Sequence, residues 1–481
     1  MTFILFFAII LRGKSLFLGR MCLHMAGKLS AFFGAQDMTV GKPSTNLLRF
    51  SVPLLIGNIA QQLYSTVDSI VVGTYVGDGA LASIGASGPV INLLLVLFMG
   101  VSVGAGIMVS QYFGAKDKKA LTDAFGTVTT ATILTSLFIT LVGVLITDWA
   151  MAALNTPADI YEMSCSYMKI LFIGMLGSAF YNIYGGILRG LGDSVTPLIF
   201  LLVACGLNIV LDIWFVAGLN MGIAGAAWAT IIAQAISAVL CIWRLLSMKE
   251  VVHVTLRSLW PKKSMVMQLI RLGLPSGVTQ AIFSLAMIVV QSLTNSFGST
   301  IIAVNTVVMR VDGFAMMPNF TFGTAITTFA GQNIGAGKLD RVEKGMKDCM
   351  KIGLTVSIVM VSAILLFGKY LMVLFTSTSE VIDTGIFALR TLALGYIAMA
   401  VTQILSGVMR GAGDTMTPMW ISIITTVVIR VPVAYLLNWI LGTYHCLFYS
   451  LLLSWVLGAV ITAVAYRLGG WKKKSIIPMG K

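Results

Sequence analysis

The chain has 481 residues, of which 58% are hydrophobic and only 10% are charged. A soluble globular protein carries about 25% charged residues, so this composition excludes a water-soluble enzyme, and its high hydrophobicity excludes a disordered chain. The formal charge of +14 could suggest a nucleic-acid partner, but the sequence contains no nucleic-acid-binding motif. We therefore expect a protein that lies in a lipid bilayer and binds no nucleic acid.

Apolar stretches long enough to cross a bilayer, which takes about 20 residues, follow one another along the chain. They predict an all-α polytopic membrane protein with twelve transmembrane helices. The predicted helices cover residues 51–76, 83–112, 121–147, 163–188, 195–217, 223–246, 268–297, 300–333, 351–375, 383–409, 416–438 and 446–467.

The two ends of the chain carry different signals. Residues 1–37 open with an apolar run that is too short to span and has no basic residues before it, so we interpret them as an appendage or a misplaced start. Lys and Arg outside the helices fall almost entirely on one side, which includes the basic tail 468–481. Because cytoplasmic loops collect these residues, both termini are expected on the cytoplasmic side of an inner or plasma membrane.

A duplication divides the chain into two halves. The segment GILRGLGDSVTP at 186–197 recurs as GVMRGAGDTMTP at 407–418, and Gln111 and Gln332 begin similar five-residue segments at the same offset of 221. Such repeats indicate two pseudo-symmetric lobes of six helices, with a ligand site between or inside them. The predicted parts are an N-lobe (38–246), a cytoplasmic linker (247–267) and a C-lobe (268–467).

Two aspartates lie deep in the predicted helices of the N-lobe. With a helical rise of 1.5 Å per residue, Asp68 on helix 1 lies about 12 Å below the outer membrane face and Asp212 on helix 5 about 9 Å below it. Asn208 shares a helix face with Asp212, and Thr230 on helix 6 lies at a similar depth. A charged side chain in a membrane costs about 2.5 to 3.5 kcal/mol, so these four oxygen-bearing residues form a candidate site for H⁺ or Na⁺. A structural partner such as Lys169 is the alternative.

A third aspartate, Asp312, lies within a predicted helix of the C-lobe. Arg390 and Arg430 lie at broadly comparable depth, so a structural ion pair is an alternative to a transport role. Asp312 is nevertheless a candidate for the lining of a central cavity. The other cavity candidates are polar residues of helices 1 and 7, namely Gln61, Ser65, Gln280 and Gln291.

The repeated GxGD motif raises the possibility of an intramembrane aspartyl protease. Asp193 and Asp414 follow an arginine in short connections and precede a Thr-Pro that opens the next helix, which favours a structural turn. The six cysteines form no CxxC pair and the three histidines are far apart, so we expect no cofactor and no resident metal. The sequence thus predicts that the protein is not an enzyme.

Several segments together resemble the multidrug and toxic compound extrusion (MATE) family of the oligosaccharidyl-lipid and polysaccharide flippase superfamily, in particular its DinF-like bacterial branch. They are the opening PLLIGNIAQQLYSTVDSIVVGTYVG (53–77), the GAKDKKAL segment (114–121), the paired RGxGDxxTP turns, and CGLNIVLDIWFVAGLNMGIAGAAWAT (205–230). The resemblance runs from about Met38 to the end of the chain.

The resemblance implies an exporter of amphipathic, often cationic organic compounds in exchange for H⁺ or Na⁺, with two lobes around a central cavity. We expect the protein to function as a monomer. The family's coupling residues fall on Asp68, Asn208, Asp212 and Thr230, and its helix 1 hinge falls on Pro53. One branch of the family also uses acids on helices 7 and 10, which this sequence lacks. A flippase for a lipid-linked oligosaccharide or cell-wall precursor is the alternative function.

Overall fold

A computed structural model describes residues 36–154, 156–248 and 256–477. Every regular element in these ranges is helical: twelve helical units follow one another as the sequence predicts, and two short 3₁₀ helices lie at Leu256–Leu259 and Gly470–Lys473. They are α1 (Pro43–Tyr75), α2 (Asp78–Gly114), α3 (Lys118–Ala153), α4 (Ala158–Ile173 and Met175–Gly190), α5 (Val195–Asp212, continued by Ile213–Gly218), α6 (Gly222–Ser247), α7 (Lys263–Asn295), α8 (Ser299–Gly335), α9 (Leu339–Val373), α10 (Ser379–Gly411), α11 (Met416–Ile423, Ile424–Arg430 and Val431–Leu441) and α12 (His445–Leu468). Residues 1–35, on which most of the predicted appendage falls, and part of the predicted linker lie outside the described ranges.

The helices have the dimensions of membrane spans. Within the described residues, nine are long and apolar enough to cross a bilayer, and α4 makes a tenth when its two segments are taken as one span. The remaining two, α1 and α2, have 33 and 37 residues, more than the roughly 20 that a span needs. The prediction of an all-helical membrane protein with twelve helices is confirmed.

Three helices depart from simple α-geometry. The two segments of α4 meet at Gly174 with a bend of 51°, and a Cβ at this glycine would lie 2.1 Å from Ile231 Cγ2 of α6. In α5 and α11 the backbone widens into π-helix over Ile213–Gly218 and Ile424–Arg430. Wide turns of this kind occur often at functional sites, and the one in α5 begins directly after Asp212.

The N-lobe contains α1 to α6 and the C-lobe α7 to α12, but the first helix of each lobe reaches into the other. At the start of α1, Leu47 and Phe50 pack into a core of C-lobe residues. At the start of α7, Leu269 and Leu272 pack into the main N-lobe core. Both helices carry a proline inside, Pro53 and Pro275. Because proline removes one backbone hydrogen bond, each crossing helix has a weak point close to the place where it changes lobes.

Candidate functional site

Helix α1 presents two polar faces. Gln61 and Tyr64 line a small cavity of about 50 Å³ inside the N-lobe, and Asp68 follows Tyr64 by four residues on the same side. Ser65 and Ser69 neighbour these residues around the helix and line a larger cleft. Gln61 therefore lines the small cavity, whereas Ser65, one turn later, lines the larger cleft.

The structure brings Asp68 and Asp212 together. Their carboxyl groups lie within hydrogen-bonding distance of each other, although they come from α1 and α5. Asp212 is fully buried, and Oδ1 of each aspartate is buried without a donor in the described part of the chain. Burial of an unpaired charge is costly, so this pair requires a proton or a cation between its oxygens.

Asn208 and Thr230 complete the surroundings of the pair. Asn208 Nδ2 donates to Asp212 Oδ2 at 2.8 Å, and Asn208 Oδ1 accepts from the Thr230 backbone N–H at 3.3 Å, in the amide orientation that satisfies both ends. The Tyr64 hydroxyl lies near the Thr230 side chain, and Tyr167 of α4 is buried close to both acids. Four helices therefore enclose one oxygen-rich site in the N-lobe.

The basic residues considered as neutralising partners have other neighbours. Lys169 Nζ lies 2.8 Å from Asp148 near the end of α3, so it does not pair with Asp68 or Asp212. In the C-lobe, the Tyr396 hydroxyl donates to Asp312 Oδ1. Arg430 lies near Asp312, but the two form no ion pair in the described residues, while Arg390 is exposed.

The remaining predicted residues of helix 7 do not join the carboxylate site. Gln280 is exposed, and only its backbone carbonyl accepts a described hydrogen bond, from the Ser284 hydroxyl. Gln291 donates to Asn295 within α7 and accepts from Asn305 of α8 at 3.3 Å. Gln291 therefore links two C-lobe helices.

The larger cleft lies between the halves of α1 and α8 that are remote from the chain termini. It has a volume of about 510 Å³. Hydroxyl and amide groups of α1 form one wall, and α8 forms the other with both apolar and basic side chains. The lining residues are Gln62, Ser65, Thr66, Ser69, Thr306, Met309, Arg310, Gly313 and Phe314.

At the end of the bundle that carries the termini, the lobes are in contact. Gln111 of α2 donates to the Gly411 carbonyl of α10 at 2.8 Å, and Gln332 of α8 donates to the Gly190 carbonyl of α4 at 3.1 Å. Both pairs are related by the repeat offset of 221. Each glutamine thus satisfies a carbonyl at the last residue of a helix in the opposite lobe, where no intrahelical donor remains.

The chain termini extend these contacts. The Met38 backbone N–H donates to Gln332 Oε1 at 2.9 Å. On the other side of the pseudo-symmetry axis, the Ile476 N–H and the Ser475 hydroxyl donate to Gln111 Oε1 at 3.0 and 3.2 Å. Both glutamines are fully buried, so the terminal segments close this end of the bundle. The conformation is therefore closed at the termini and open at the cleft.

The GxGD turns have a structural role. Asp193 accepts from the Thr196 backbone N–H at 2.9 Å and from its hydroxyl at 2.6 Å, which caps the start of α5. Asp414 makes the same two contacts with Thr417 at the start of α11. Side chains that accept from the first free N–H groups of a helix stabilise its start. This geometry supports the structural interpretation of the motif.

Sequence reasoning did not identify several residues of the sites. Tyr64 and Tyr167 lie beside the carboxylates, but nothing in the sequence distinguishes them from other aromatic residues of the core. Arg310 of the cleft was not among the predicted cavity residues, although it lies two residues from Asp312. The duplication of Gln111 and Gln332 at the repeat offset was visible, and buried glutamines at equivalent positions could have indicated a contact between the lobes.

Comparisons with known proteins agree with the geometry. The MatE family profile matches residues 53–214 and 275–436, one match in each half. The chain is 29% identical to the "Probable multidrug resistance protein YpnP" and 30% identical to the "Probable multidrug resistance protein YoeA", both of Bacillus subtilis (strain 168). These matches cover 91% and 90% of this chain and 98% and 96% of the relatives.

Among solved structures, the fold is similar to one described as the "Outward-facing conformation of a multidrug resistance MATE family transporter of the MOP superfamily". The TM-score is 0.84 at 26% sequence identity, and the match covers 91% of this chain and 98% of that one. The likeness therefore extends over both lobes.

Proposed function

The chain belongs to the MatE family of membrane transporters, and we propose that it is a secondary active antiporter that exports amphipathic organic compounds in exchange for inward H⁺ or Na⁺. The observation that carries this proposal is the contact between the carboxyl groups of Asp68 and Asp212 inside the N-lobe. Two neighbouring carboxylates repel each other when both are ionised, so they take up a proton or a hard monovalent cation. Asn208 and Thr230 supply neutral oxygens for the same ion.

Helix α1 couples the ion to the substrate. Asp68 lies at the ion site, and Ser65 and Ser69, which neighbour it around the helix, line the cleft. Binding or release of the ion at Asp68 changes how tightly α1 packs against α5. The wall of the cleft that α1 forms then moves together with the helix. Pro53 is the proposed hinge, because it lies between the part of α1 packed on the C-lobe and the part that carries Asp68. The ion shifts the equilibrium only through its different affinities for the two conformations.

We propose that the end with the termini faces the cytoplasm of the cell membrane, because the basic tail and linker lie there. The closed contacts of Gln111 and Gln332 then make this conformation outward-facing. A single chain supplies the ion site, the cleft and these contacts, which supports function as a monomer.

The flippase alternative is less well supported by the cleft. A lipid-linked pyrophosphate carries several negative charges and needs several cationic groups around it. The described lining of the cleft contains one basic residue, Arg310. The same residue argues against a preference for cationic substrates, which are often the substrates that the family resemblance implies.

Transport in proteoliposomes tests the proposal. Wild-type protein is tested with a pH gradient and, separately, with a Na⁺ gradient. We expect one of the two gradients to drive transport of a fluorescent amphipathic compound, and that gradient identifies the coupling ion. Asp68→Asn and Asp212→Asn should each reduce gradient-driven transport by at least tenfold, since they leave one carboxyl group without its partner. Asp148→Asn is the matched control, because this acid of the N-lobe is exposed. Wild-type transport by Asp68→Asn would refute the assignment.

A further inference from the structure

The cleft is lined by a basic residue, whereas the ion site of the N-lobe contains acidic residues. Arg310 is the one charged residue in the described lining. Asp68 lies against Asp212 within the N-lobe and is not among the residues that line the cleft. Asp312, two residues from Arg310 on α8, accepts a hydrogen bond from Tyr396 inside the C-lobe. The three membrane acids therefore point away from the cleft.

Arg310 is available to a ligand. Its side chain is exposed, and in the described part of the chain no acidic oxygen lies within ion-pair distance of its guanidinium group. Guanidinium binds carboxylate and related anions through two parallel hydrogen bonds. The cleft lies between membrane-spanning helices, where water screens a charge less than in bulk solvent, so such a contact is stronger there.

The rest of the cleft suits an amphipathic molecule. Met309 and Phe314 flank Arg310 on α8 and are 41% and 47% exposed. Opposite them, Ser65 and Ser69 of α1 each donate their hydroxyl to a carbonyl one turn earlier in the helix, which leaves their oxygens as acceptors. A volume of about 510 Å³ accommodates a drug-sized compound.

We propose that the cleft selects amphipathic organic acids, with the anionic group bound by Arg310 and the apolar body packed on Met309 and Phe314. This inference rests on the proposed antiport and specifies its substrate class. The two lobes then divide the charges: the acids of the N-lobe take the coupling cation, and the C-lobe wall takes the anion.

Two matched probes test the inference. Dansylglycine carries a carboxylate, and dansylamidoethyl trimethylammonium carries a fixed positive charge on a similar body. Purified full-length protein is expected to bind dansylglycine at least tenfold more tightly than the cationic probe, measured by dansyl fluorescence. Arg310→Gln should remove this preference, Arg310→Lys should keep part of it, and Arg310→Glu should reverse it. Arg390→Gln is the control, because Arg390 is exposed on α10 and does not line the cleft.

The outcomes separate this inference from the proposed antiport. The inference would be overturned if the protein transports the cationic probe in preference to dansylglycine and if Arg310→Gln does not change this transport. If the same transport depends on Asp68, the proposed antiport is still supported. Arg310-dependent binding of dansylglycine without gradient-driven transport would support the inference and refute antiport. If phosphatidylglycerol in the vesicles abolishes dansylglycine binding to wild-type protein, Arg310 holds a lipid headgroup, and the inference is wrong.

Discussion

At the scale of single residues, Tyr64 connects the carboxylate pair to its surroundings. Its hydroxyl lies near the Thr230 side chain and close to both Asp68 and Asp212. A polar contact of this kind contributes about 1 kcal/mol, so removal of the hydroxyl corresponds to roughly a fivefold change in an equilibrium constant. We predict that Tyr64→Phe raises the ion concentration needed for half-maximal transport by about that factor while the maximal rate is largely kept.

The control for this prediction is Tyr181→Phe. Tyr181 lines the same small cavity but belongs to α4 and lies near Arg189 instead of the acids. An equal change in both variants would mean that loss of a cavity hydroxyl, and not contact with the ion site, causes the effect. Initial rates measured over a series of pH values or Na⁺ concentrations distinguish the two cases.

How far the sequence predicts the site depends on the type of residue. Asn208 and Asp212 are four residues apart in an apolar helix, so their shared face follows from helix geometry alone. Which cavity Ser65 lines could not be predicted, because it depends on how α1 is rotated between the two lobes. Arg310 could not be placed at the cleft for the same reason, since only tertiary packing decides which side of α8 the cleft borders.

At the scale of helices, the contact between α2 and α8 depends on two glycines at the repeat offset. A Cβ at Gly114 would lie 1.9 Å from the Gln332 carbonyl oxygen, and a Cβ at Gly335 would lie 2.0 Å from that of Gln111. Neither backbone can move away without separating the two helices. The closed end therefore tolerates no side chain at either position.

We predict that Gly335→Ala opens the end with the termini while the lobes stay folded. Hydrogen exchange followed by mass spectrometry should show faster exchange at the Met38 and Ile476 amides, which donate to the two glutamines. Gly88→Ala in α2 is the control, because nothing lies within 4 Å of its added Cβ. Unchanged protection in Gly335→Ala would show that these helices do not form the closure.

The helices themselves were the easiest part to predict. Their apolar length alone fixes their number, since a bilayer accepts no other backbone arrangement except a closed barrel. The bend at Gly174 was not predicted, because it lies where Ile231 packs onto the backbone of α4, and the π-segments gave no signal in the sequence. The packing of α1 and α7 in the opposite lobes was also not predicted from the sequence, because local periodicity does not specify which helix packs against a given face.

For the whole molecule, the division of charges between the lobes has an electrical consequence. When a monovalent anion leaves as one H⁺ or Na⁺ enters, two elementary charges move in the same direction. Each charge is worth about 2.3 kcal/mol per 100 mV, so a cycle gains about 4.6 kcal/mol at that potential. Exchange of a cationic substrate for one cation moves no net charge.

We predict that an inside-negative potential, imposed with K⁺ and valinomycin, accelerates dansylglycine export several-fold in oriented vesicles. Under the same conditions, any exchange of the trimethylammonium probe should change little. Asp68→Asn, which loses the cation half of the cycle, should lose the response. An equal response to voltage with both probes would contradict this charge balance.

The contacts of the terminal segments also bear on biosynthesis. Gln332 bonds a residue near the beginning of the described chain, whereas Gln111 bonds Ser475 and Ile476 near its end. A ribosome makes the two halves in order, so the first lobe can insert and fold while the second is still being translated. The contacts on Gln111 need residues 475 and 476, which follow the second lobe in the chain, so an unfinished transporter cannot close this end of the bundle completely.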